Sequence, residues 1–92
     1  VLDSTPKAIV YYQKAVATEP NNISLRLNYA RWLDKLHKDD LAVQEYNFVL
    51  SKSVGNTEVL TALEKIYLKK LATDSKNAQV YANLGAIYQK QK

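Results

Sequence analysis

Apolar residues recur three and four positions apart in five stretches, and clusters of Pro, Asn, Gly and Asp separate them. That spacing puts one side-chain stripe on each of five helices. Ser4-Thr5-Pro6 reads as the first helix start: a hydroxyl caps free amides, and Pro stands where its missing N–H costs nothing. The helix from Lys7 to about Thr18 carries Ala8, Ile9, Tyr12, Ala15 and Val16 on one stripe, and Pro20-Asn21-Asn22 ends it, with Asn22 as cap of the next. From Ile23 to Leu36, the residues Leu25, Tyr29, Ala30, Trp32, Leu33 and Leu36 spread over a broad arc, which predicts the best-buried helix of the chain. His37-Lys38-Asp39-Asp40 makes a polar turn, with its acids at the positive end of the helix Leu41–Lys52. Val54-Gly55-Asn56 closes that unit, and the pattern continues as helices over 57–71 and 78–91.

The stripes repeat. At an offset of 34, Ala8, Ile9, Tyr12, Ala15, Val16 and Asn22 fall on Ala42, Val43, Tyr46, Val49, Leu50 and Asn56. A fixed period of this length means helix pairs that cannot bury their apolar faces alone and stack on neighbours as a solenoid. The last third departs from the period. There, Asn56, Val59, Leu63, Ile66 and Tyr67 match Asn77, Val80, Leu84, Ile87 and Tyr88 at an offset of only 21.

These residues resemble the tetratricopeptide repeat (TPR), a 34-residue helix pair with small and aromatic residues at fixed places. Ala8, Tyr12, Ala15 and Pro20 fit the second helix of an opening half-repeat (7–18). Ala30 and Leu33, then Ala42, Tyr46 and Val49, fit the two helices of a complete repeat (23–56). Tyr81, Leu84, Gly85 and Tyr88 fit the first helix of a closing half-repeat (78–92). The resemblance implies one all-α domain over 1–92, a TPR-like antiparallel helix-turn-helix array (α-solenoid) of about five helices. It also implies that Ala8, Ala30, Ala42 and Gly85 let helix backbones approach closely. Departures are Arg26 at a large apolar position, Tyr29 for Leu and Val54 for the terminating Pro. In 57–77, Tyr67 serves as a first-helix and a second-helix residue at once, so this segment reads as a fused or truncated repeat in which two helices became one. A turn between Leu60 and Leu71 would contradict that. Glu64 falls at the small-residue position, where a carboxylate between packed helices is costly, so the usual second-helix partner is expected to be absent.

Composition narrows the function. Ninety-two residues, 47% of them apolar, suffice for one packed helical array. Without Cys there are no disulfides, thiolate metal sites or Cys nucleophiles. The net charge of +4 favours acidic partners weakly, but the basic residues are dispersed and only Lys69-Lys70 are adjacent, so no nucleic-acid role is expected. No apolar run is long enough to span a membrane and no signal segment is visible, so a soluble domain is expected, and its compartment is left open. His37, Asp39 and Asp40 have metal-ligand chemistry but sit in a turn without a second cluster, and they read as a solvated turn and helix start. Two glycines, at 55 and 85, build no phosphate-cradling loop, and no nucleophile elbow is present. No enzyme, cofactor or metal is expected.

Tyr12, Tyr46, Tyr67, Tyr81, Tyr88 and Trp32 fall on packing positions, whereas Tyr11 and Phe48 lie off the stripe as candidates for exposed contact with another chain. In TPR arrays the first helices line a concave face that grips a peptide or a helix. Carried over by position, the candidate partner-binding residues are Ser24, Leu27, Asn28, Arg31 and Lys35, with Gln79, Asn83, Ala86 and Lys90 on the closing helix. An Asn amide can pair with a peptide backbone, and Arg31 offers a fork for a carboxylate. The carboxylate-clamp subclass is not expected, because Leu27 stands where its Lys belongs. The resemblance therefore implies a non-catalytic protein–protein interaction module, a scaffold or chaperone-like adaptor. The alternative is a self-assembly module, a homo-oligomer formed through its terminal helices.

Overall fold

The computed structural model describes residues 5–91. Five helices follow one another: α1 (Thr5–Thr18), α2 (Ile23–Lys35), α3 (Asp39–Lys52), α4 (Thr57–Thr73) and α5 (Ala78–Lys90). Each packs on the next as an antiparallel helix-turn-helix array, a slab of 37 × 30 × 17 Å. The boundaries have local causes. Asn22, Asn56 and Asn77 hold extended backbone and accept from the N–H three residues on, at 3.0, 3.1 and 3.1 Å, capping α2, α4 and α5. The α2 stop is made by backbone: His37 N–H donates to Asp34 O and Lys38 N–H to Leu33 O, closing the turn with His37 left-handed at φ 59°. Asp39 and Asp40 occupy the first turn of α3, which starts two residues before the apolar marker Leu41 because acids are favourable there. Ser4, part of the expected first cap, lies outside the described residues.

The core runs through the middle of the array. Buried side chains are Tyr29, Ala30 and Leu33 of α2; Ala42, Tyr46, Val49 and Leu50 of α3; five residues of α4; and Val80, Leu84 and Ile87 of α5. The expectation that α2 is best buried is therefore corrected. α3 and α4 each bury five residues, and α2 three, because α2 has on its outer side only α1, which buries none. α2 and α3 share the most extensive pairing. Polar bonds reinforce it: Arg26 Nη1 meets the buried Glu45 Oε1 at 3.2 Å, and the Tyr46 hydroxyl donates to Asp34 Oδ2 at 3.1 Å. Burial first, and then the Asp34 charge, push the Tyr46 hydroxyl far above its ordinary range. At one edge Lys69 and Lys70 of α4 reach back to Asp39 and Asp40 at 2.8 and 2.6 Å.

α4 is unbroken over 17 residues, with no turn between Leu60 and Leu71. Glu64 is half-buried in α4, on which α5 packs, and hydrogen bonding to its carboxylate holds the Tyr88 hydroxyl above the ordinary tyrosine range. One expectation for the last third, a close approach at Gly85, is corrected. Gly85 lies mid-helix but makes no close approach, since nothing lies within 4 Å of its Cβ position. Ala30 and Ala42, by contrast, are fully buried.

Candidate functional site

Three surfaces carry the candidate residues. The first is the outward stripe of α2, where three- and four-residue steps align Ser24, Leu27, Asn28, Arg31 and Lys35. Leu27 is half-buried against the core and the other four are exposed. Arg31 forks onto Glu58 of α4, with Nε to Oε2 and Nη2 to Oε1 both at 2.6 Å, while Nη1 donates to Asn28 Oδ1 at 3.2 Å. Glu58 sits in the first turn of α4, where the helix dipole favours its charge. The Arg31 hydrogen bond holds the Glu58 carboxyl below the usual carboxylate range and raises the guanidinium in return. Each partner keeps 48% of its side chain exposed, so water and other carboxylates can reach the fork.

The second surface is on α5. Gln79 donates to Asn83 Oδ1 at 3.0 Å, and Asn83, Ala86 and Lys90 line a recess of about 290 Å³ with Val43, Asn47 and Leu50 of α3 and Tyr67 of α4. The structure thus brings Asn28 and Arg31 together with Glu58, and it places Asn83, Ala86 and Lys90 across a recess from α3. Asn28 and Asn83 are engaged separately, one by Arg31 and the other by Gln79. Nothing in the sequence marks Glu58, which lies 27 residues from Arg31 and bears no motif.

The third surface is on α1. Tyr12 stacks on Tyr29 with ring centroids 4.9 Å apart and lies 5.3 Å from Trp32. Beside this stack is an open apolar recess of about 280 Å³ lined by Ala8, Tyr11, Tyr12, Ala15 and Leu25. Tyr11 is exposed, as its off-stripe position suggested. Phe48 is not: the Arg26 guanidinium lies over its ring at 4.0 Å and half-buries it. Tyr81 and Tyr88, placed on packing positions by the pattern, are also corrected. They are exposed because no helix among the described residues covers that side of α5.

His37, Asp39, Asp40, Lys69, Lys70 and Thr73 border a cleft, but the two carboxylates are engaged by the two lysines. Among the described residues no cluster of three metal-ligating side chains occurs, and no helix is long and apolar enough to cross a membrane. No family model matches the chain, and no curated protein matches it.

Proposed function

We propose that the chain is a non-catalytic interaction module of the TPR kind, holding a peptide segment or partner helix along α2 and the first turn of α4. The observation that carries this reading is the exposed Asn28–Arg31–Glu58 row. Glu58 occupies the guanidinium fork as an internal carboxylate, and an Asp or Glu of a partner would exchange with it at little cost, because both sides of the pair are already hydrated. Leu27 and the stem of Lys35 add apolar contact beside the fork. The test is an NMR titration with extended acidic dodecapeptides. Amide shifts concentrated on residues 24–35 and 57–61, weakened at least tenfold by Arg31→Ala, support the reading. Shifts scattered over α5, or none at millimolar peptide, refute it.

Self-association is the second reading. It is favoured by apolar surface at both ends of the array, where Tyr11 of α1 and Tyr81 and Tyr88 of α5 are exposed.

A further inference from the structure

α1 and α3 carry the same surface. At the 34-residue offset, Ala8, Tyr11, Tyr12 and Ala15 stand where α3 has Ala42, Glu45, Tyr46 and Val49. All four α3 residues are buried, and Glu45 and Tyr46 bond to Arg26 and Asp34 of α2. The four α1 residues line the open recess instead. α1 therefore has the face on which α2 lies in the α2–α3 pair; its Tyr12 edge is already covered by the stack on Tyr29 of α2, and the remainder, from Tyr11 along the recess, is open.

α5 carries the complementary surface. At an offset of 55, Asn77 stands for the cap Asn22, Tyr81 for Arg26, Gly85 for Ala30 and Tyr88 for Leu33. In α2 this face is covered: Arg26 is paired with Glu45, and Ala30 and Leu33 are fully buried. In α5 it is bare. Tyr81 and Tyr88 are 53% and 46% exposed, and the Cβ position of Gly85 is open. The chain thus holds both halves of an interface that it already forms once internally.

The exchange of polar partners fits a joined interface. Where α2 and α3 oppose Arg26 and Glu45, the two open faces carry Tyr81 and Tyr11. A charge kept on one face alone would be stranded on burial; replacing both by tyrosine leaves none unpaired.

We propose that α5 of one copy docks on α1 of the next, antiparallel as α2 lies on α3, with Tyr81 opposite Tyr11 and Gly85 at the close approach. This rests on the self-association reading and specifies its occupant and symmetry. The contact is head-to-tail: it uses different faces on the two copies, so each added copy leaves one face of each kind free and assemblies grow beyond two as concentration rises.

The test is light scattering behind size exclusion over a hundredfold concentration range. The parent mass is expected to rise past two chains. Tyr11→Glu and Tyr81→Glu, both at exposed positions and with helix content checked by circular dichroism, each remain at one chain. Their equimolar mixture reaches two chains and stops, because it retains one intact pair of faces. The double variant Tyr11→Glu/Tyr81→Arg rebuilds the α2–α3 ion pair across the contact and grows again. A parent that is monomeric throughout overturns both this contact and self-association. If Tyr81→Glu still dimerises while Tyr11→Glu does not, the copies pair α1 to α1; self-association then stands and the head-to-tail contact falls.

Discussion

The Arg26–Glu45 pair gives the sharpest stability prediction. Both side chains are largely buried, 16% and 10% exposed, and Arg26 also donates through Nε to Pro20 O at 3.1 Å while lying over Phe48. Glu45→Ala removes the carboxylate and leaves the guanidinium in place. Breaking a fully buried pair costs about 3–5 kcal/mol. Arg26 keeps a carbonyl and a ring as partners, so the expected loss is smaller, about 2 kcal/mol. For a domain of this size that lowers Tm by roughly 8–16 °C, and moves the urea midpoint down by about 1 M. Arg26→Leu/Glu45→Leu removes both charges from the same interface. Replacing such a pair by apolar residues is often neutral or stabilising, and α4 already carries Leu60 where α2 carries Arg26. The double variant should lie within about 1 kcal/mol of the parent or above it. Urea unfolding followed by Trp32 fluorescence, with its ring beside Tyr12 and Tyr29, and by circular dichroism checks both. If Glu45→Ala costs under about 0.5 kcal/mol, or the double variant loses more than the single, the pair is not the buried, coupled contact described above.

Two further predictions concern exposed positions. Gly85→Ala meets no neighbouring atom in a regular helix, so it should stabilise the monomer by about 0.5–1 kcal/mol in the same urea assay, and a loss would mean that the site is already crowded. The Glu58 carboxyl is held low by Arg31, so the stability the pair supplies is present above the unfolded carboxylate value and is lost as pH falls through the depressed folded one. Carbon-detected NMR titration of Glu58 should show a midpoint below the usual glutamate value in the parent that returns toward it in Arg31→Ala; equal midpoints would refute the fork.

The helices were legible because each carries its apolar residues at helical spacing and because Asn22, Asn56 and Asn77 are caps that also function as punctuation. α4 runs two residues past the expected end at Leu71, since Ala72 and Thr73 lie off the apolar stripe and are exposed. The ranking of burial was not legible. α2 has a wide apolar arc, but how closely its neighbours pack decides how much of it is covered, and on one side α2 has only α1, which buries nothing. For the same reason Tyr81 and Tyr88 read like Leu60 and Tyr67, yet only the latter two are buried. On the candidate surface, Asn28 and Arg31 could be placed on one stripe from spacing alone. That Glu58 would close the fork, and that Asn83 would face α3, depend on where α4 and α5 fall in space, which a one-dimensional period does not encode.

The absence of any fully buried side chain on α1 has a kinetic meaning. A helix held by half-covered side chains detaches more cheaply than the whole domain unfolds, so its amides should exchange by local opening while those of α3 and α4 wait for global unfolding. Any contact that uses α1 is then available only in the fraction of molecules with the helix seated, and its apparent dissociation constant is the intrinsic one divided by that fraction. Whatever docks on α1 also fastens it, so hydrogen exchange in residues 5–18 would slow on binding even where no new hydrogen bond is made.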